Sequence, residues 1–158
     1  MITLAKLLER IQRIKKNSLF FYAFVRIFLF LFVFIETKVF NMATIRLTKE
    51  QFVKRVSKLG TSISDFKFVG ARPAVIDFYA DWCGPCNMVA PFMEDLSKEY
   101  GEKVDFYKIN VDEENELSAY FGIRSIPTLL FITADGKMSR HTGALLREQL
   151  KNEIKKLL

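Results

Sequence analysis

Cysteine and histidine are almost missing from this 158-residue chain, which has Cys83, Cys86 and His141 and no others. A structural zinc site takes four such ligands, so a metal-stapled fold is excluded. A bridge between Cys83 and Cys86 would close too short a loop to remove much chain entropy, which argues against a purely structural disulfide. The chain also lacks a basic surplus where a nucleic-acid face would need one. Its net charge is +6, but Lys6, Arg10, Arg13, Lys15, Lys16, Arg26 and Lys38 against Glu9 and Glu36 place +5 of it in residues 1–41. The remainder is nearly neutral, so nucleic acid is not an expected partner.

Residues 1–41 stand apart from the rest. Leu4, Leu7, Leu8, Ile11 and Ile14 recur at helical spacing among basic residues. Leu19 to Ile35 is then almost unbroken apolar sequence, longer than a signal-peptide core and at the short limit of a membrane span. Its Leu, Ile, Phe and Val residues offer roughly −4 to −8 kcal/mol of insertion energy against about +3 kcal/mol for Arg26. Three readings stand: an uncleaved signal anchor through residues 19–35, a cleaved signal peptide, and a start truly at Met42. No small-x-small site follows the apolar run, which weakens the second. The first puts the domain outside the cytoplasm, anchored in the inner membrane, because the basic residues precede the span. The third makes it cytoplasmic. The chain is thus divided into 1–41, a basic amphipathic stretch plus hydrophobic segment, and 42–158, one globular domain.

Within the domain the pattern alternates between strand and helix. Thr44-Ile45-Arg46 is a short strand candidate, and Thr48 with Gln51 forms a capping box for a helix carrying Phe52, Val53, Val56 and Leu59. Gly60 to Arg72 is a loop whose Phe66 and Phe68 are expected to cover the core. Ala74–Ala80 is apolar on both faces except at Asp77, as in a central strand sandwiched between helices. A helix from Asn87 to Tyr100 contains Pro91, and a strand from Val104 to Val111 follows. A short helix spans Glu114 to Phe121, and strands Thr128–Thr133 and Met138–Thr142 pair across Asp135-Gly136. Leu146, Leu150, Ile154 and Leu157 mark the last helix. The order βαβαβαββα describes an α/β domain with a mixed sheet and helices on both faces.

Against this background Trp82-Cys83-Gly84-Pro85-Cys86 is the chemical centre. Two thiols three positions apart at the start of a helix can close on each other and carry two electrons. Free backbone N–H groups and the positive end of the helix dipole there favour a thiolate, the attacking species in disulfide exchange. Cys83, first at the helix start, is the expected nucleophile, and Cys86 the resolving thiol. Trp82 flanks the nucleophile, Gly84 admits a close backbone, and Pro85 stiffens the turn. Asp77, a carboxylate in an apolar strand, should have a raised pKa and is the candidate proton acceptor for Cys86.

The segment Asp77-Phe78-Tyr79-Ala80-Asp81-Trp82-Cys83-Gly84-Pro85-Cys86 resembles the active-site segment of the thioredoxin family. Pro91, Lys108-Ile109-Asn110-Val111-Asp112, Gly122-Ile123-Arg124-Ser125-Ile126-Pro127-Thr128 and Gly143-Ala144-Leu145 extend the likeness, in the family's order, over about residues 44–158. The resemblance implies a thioredoxin fold and reduction of protein disulfides without a cofactor. It implies that Lys108 partners Asp77, and that a cis Ile126-Pro127 bond faces the cysteines. The Ile126 backbone would then pair with an extended substrate, with Gly143 lining the same groove. The implied electron donor is thioredoxin reductase for a cytosolic domain and a membrane donor for an anchored one. Asn87 and Ser125 depart from the family's frequent basic residue and glycine. A scaffold that only binds a partner is the competing reading, but it would not need both cysteines, Asp77 and the Ile-Pro pair together. His141, on an expected edge strand, is given no role.

Overall fold

The structure, a computed structural model, describes residues 44–158. The basic stretch and the apolar segment at residues 19–35 lie outside the described residues. Among the described residues, nine helices and strands follow in the order expected: β1 (Ile45–Arg46), α1 (Lys49–Arg55), β2 (Ala74–Tyr79), α2 (Gly84–Tyr100), β3 (Asp105–Asn110), α3 (Asn115–Tyr120), β4 (Thr128–Ile132), β5 (Met138–Thr142) and α4 (Arg147–Lys155). The strands build one sheet in the order β1-β3-β2-β4-β5. β3 runs parallel to both β1 and β2, whereas β4 is antiparallel to β2 and to β5. β2 is therefore the central strand, and Ala74 through Phe78 are all buried.

The two-residue period of a strand sends alternate side chains to opposite faces. Ile76, Phe78, Tyr107, Ile109, Leu130 and Ile132 meet Phe52 of α1 and Leu117 of α3 on one face. On the other, Val75, Phe106, Leu129 and Phe131 meet Val89, Met93 and Leu96 of α2 with Leu150 and Ile154 of α4. By the same alternation Asp77 and Lys108, which are register partners on β2 and β3, belong to the α2 face. Phe121 closes α3 and gathers rings from distant elements, with centroids 5.6 Å from Phe52, 6.1 Å from Phe66 and 5.5 Å from Phe78. Phe66 and Phe68 pack against this cluster, as the loop's aromatics were expected to do.

Local rules account for most boundaries. Thr48 caps α1 with the full reciprocal capping box, worth about 1 kcal/mol. Gly122 and Gly136 take φ values of 58° and 83°, where a side chain would be strained. Two expectations need correction. α2 begins at Gly84, three residues before Asn87, because Pro85 needs no N–H partner in a first turn. Leu146 does not join the buried face of α4; it is the N-cap residue and 69% exposed, while Leu145 is buried in its place. The loop from Gly60 to Arg72 holds a 3₁₀ turn at Ile63–Asp65, and its Phe68 bridges back to Ser57.

Candidate active site

Cys83 is the N-cap residue of α2, and that position decides its surroundings. Its Sγ accepts the backbone N–H of Cys86 at 3.2 Å. An N-cap side chain commonly takes one of the orphan donors of a helix start; here that side chain is a sulfur. Cys83 and Cys86 form a disulfide, with Cα atoms 5.3 Å apart, so the oxidised state is the one described. Both residues are buried, so their asymmetry rests on the capping contact and not on exposure.

Around the sulfurs, Ala80, Tyr79, Val111 and Ile126 make a small apolar collar. The Ile126-Pro127 peptide that follows this contact is cis and stands immediately before β4. Pro127 is buried, and its carbonyl accepts the N–H of Gly143 at 2.8 Å, which ties the start of β4 to the end of β5. Gly143 has φ 101°, a conformation that favours glycine. Neither the N–H nor the C=O of Ile126 has a hydrogen-bond partner among the described residues. An extended chain laid beside Ile126 could use both groups. Gly84 and Pro85 are exposed, and a Cβ on Gly84 would meet nothing within 4 Å. Trp82 is 72% exposed, and its indole N–H donates to Asp112 at 2.7 Å.

Behind Cys86 lies a pocket of about 70 Å³ bordered by Asp77, Tyr79, Glu94, Lys108 and Thr44. Burial pushes the Asp77 carboxyl up to about 7, against a smaller opposing pull from the Lys108 charge. Its Oδ1 is buried without a hydrogen-bond partner among the described residues. The sequence-based expectation made Lys108 the partner of Asp77. The register does place them side by side, but among the described residues Lys108 makes its ion pair with Glu94, at 3.8 Å. Lys108 acts on Asp77 as a nearby charge, not as a bonded partner.

Two residues of the site were not anticipated. Asp112 lies thirty positions from Trp82, and no local pattern links them. Glu94 left a weak signal: it stands eight residues after Cys86, two turns along the same stripe of α2. The expected residues fall into three groups. Cys83, Cys86 and Ile126 share the collar, Asp77 and Lys108 the pocket, and Trp82, Gly84 and Pro85 the exposed rim. Pro127 and Gly143 stand outside these groups and are joined to each other by the Gly143 N–H to Pro127 carbonyl bond.

This arrangement has close counterparts among known proteins. The thioredoxin family matches residues 43–156. A thioredoxin from Borreliella burgdorferi is 46% identical over 111 residues, which is 70% of this chain and 94% of that protein. A chloroplastic M-type thioredoxin from Pisum sativum is 37% identical over 107 residues, 67% of this chain and 62% of its own length. Among solved structures, a thioredoxin from Malassezia sympodialis superposes with a TM-score of 0.57 at 32% identity, covering 72% of this chain and 90% of that one.

Proposed function

The chain belongs to the thioredoxin family, and from that premise we propose how its residues divide the reaction. The protein is a thiol–disulfide oxidoreductase that reduces protein disulfides. In the proposed sequence the Cys83 thiolate attacks a substrate disulfide. The substrate S–S bond breaks, one substrate sulfur leaves as a thiolate, and a mixed disulfide joins the other to Cys83. Cys86 then gives its proton to Asp77, attacks Cys83 Sγ and expels the second substrate thiolate. Two electrons have passed to the substrate, and the Cys83–Cys86 disulfide remains.

The observation that carries this assignment is the 3.2 Å contact from the Cys86 N–H to Cys83 Sγ at the start of α2. In the reduced protein the same donor and the same helix end would stabilise negative charge on Cys83. Asp77 suits the second step because a base works best with a pKa near the working pH, and its carboxyl stands at about 7. Ile126 would hold the substrate chain in place by its free backbone groups, with Trp82 and Gly84 forming the rim the substrate passes over.

The oxidised protein must be recharged by a dithiol or its equivalent. The Gly84-Pro85 pair between the cysteines resembles the reducing members of the family and supports a cytoplasmic domain recharged by thioredoxin reductase. A domain tethered through residues 19–35 would instead draw on a membrane electron donor. Fractionation of native protein separates these: a full-length species in carbonate-washed membranes would establish the tethered form.

The proton-transfer role is tested by single-turnover kinetics. Asp77→Asn should form the mixed disulfide at nearly the wild-type rate and resolve it on the order of 10²-fold more slowly. Resolution at the wild-type rate would remove Asp77 from the mechanism.

A further inference from the structure

Lys108 has two carboxylates to choose from. Asp77 is its register partner across β2 and β3, and Glu94 approaches from α2. The ammonium sits 3.8 Å from Glu94 Oε1, at the half-exposed mouth of the pocket, where both side chains are 38% exposed. It also lies 6.0 Å from the centre of the Tyr79 ring. The second oxygen of Glu94 accepts the Thr44 N–H at 3.4 Å, so the carboxylate is held from the segment that leads into β1 as well. Deeper in the same pocket, Asp77 Oδ1 has no partner among the described residues.

We propose that Glu94 is a positioning residue for the resolving step: by pairing with Lys108 it keeps the ammonium at the pocket mouth and leaves the Asp77 carboxyl free to take the Cys86 proton. The inference rests on Asp77 being that acceptor, and it adds a residue that never touches the sulfurs. The physical reason is a competition for one cation. An ammonium drawn fully onto a buried carboxylate favours its ionised form and weakens it as a base. A second carboxylate at the mouth, where water shares the cost of the charges, holds the ammonium where desolvation is smaller.

Among the described residues, few polar or charged groups face Asp77. Lys108 comes from β3, Cys86, Asn87 and Glu94 from α2, Tyr79 from its own strand, and Thr44 from the segment before β1. On the β4 side its register partner is Leu129, which carries no charge. Burial raises the Asp77 carboxyl and Lys108 opposes it. Removing Glu94 leaves that opposition with no rival.

The test follows the Asp77 carboxyl by ¹³C NMR in the reduced protein, across Glu94→Gln, Lys108→Met and the double variant. Glu94→Gln should lower the Asp77 midpoint by about one pH unit, and the pH profile of mixed-disulfide resolution should move down with it. Glu94→Asp, which keeps the charge, should hold the wild-type midpoint. In the Lys108→Met background, Glu94→Gln should have almost no effect. An unchanged midpoint in Glu94→Gln overturns the proposal. So does an equal change in both backgrounds, because Glu94 would then act by its own charge and not through Lys108. Normal resolution in Asp77→Asn would remove the acceptor role while leaving this titration readable, so the two claims fail separately.

Discussion

Cys83→Ser should eliminate turnover in an insulin-disulfide reduction assay, with residual activity indistinguishable from the uncatalysed thiol reaction. Cys86→Ser should also lose turnover, but for the opposite reason: it should accumulate substrate covalently bound through Cys83. The difference follows from the start of α2. Cys83 caps the helix and receives the Cys86 N–H at 3.2 Å, so the N-terminal donors and the helix dipole act on its sulfur. Cys86 lies inside the first turn and borders the Asp77 pocket. A serine at position 83 removes the attacking thiolate; a serine at position 86 removes only the second attack. Intact-mass analysis after incubation with a disulfide-bonded protein distinguishes them. Adducts on Cys83→Ser with none on Cys86→Ser would reverse the assignment.

The second large effect concerns stability and pH. The Asp77 carboxyl is raised from 3.8 in the unfolded chain to about 7 in the fold by burial, with Lys108 offsetting only part of it. Below the unfolded value the group is protonated in both states and contributes nothing to the pH dependence. Between the two values the folded state holds a proton that the unfolded state has lost, so stability falls as pH rises. The loss is complete above the folded value. A pKa raised by about three corresponds to roughly 4 kcal/mol. Asp77→Asn has no such titration, so its urea stability relative to wild type should climb by roughly that amount between pH 4 and pH 8 and then level off. The amide has its own unmet hydrogen bonds, a cost of about 1–3 kcal/mol that displaces the whole curve without changing its slope. A variant-to-wild-type difference that stays flat over this range would show that Asp77 is not held protonated by burial.

How much of this could be read from the residues depends on sequence distance. The Cys83–Cys86 pair, the Thr48 capping box and the apolar run of β2 are local patterns, and each appears in the structure where the residues put it. Asp77 was conspicuous as an acid in an apolar strand. The cis bond at Pro127 came only through the family likeness, because nothing in Ser125-Ile126-Pro127-Thr128 forces that isomer. The helix is expected only from Asn87 because Gly84 and Pro85 read as a turn between the sulfurs, whereas both belong to a first helical turn capped by a sulfur.

Glu94 and Asp112 were missed for a different reason. Each meets its partner through topology: β3 lies beside β2, so Lys108 arrives under α2 and Asp112 arrives beside Trp82. The pairing of Lys108 with Asp77 came through the family likeness, which places the lysine on the strand beside the acid. That likeness could not show that α2 offers a better-hydrated carboxylate. Phe121 is similar, since the rings it gathers from α1, β2 and the long loop share no period.

The central claim is that the start of α2 makes Cys83 the thiolate. The most direct measurement is the pH dependence of iodoacetamide alkylation of the reduced protein, with the modified peptide identified by mass. Alkylation should fall on Cys83 alone, with a midpoint below the free-thiol value near about 8.5. Label on Cys86 in place of Cys83, or a Cys83 midpoint at or above that of a free thiol, would contradict it.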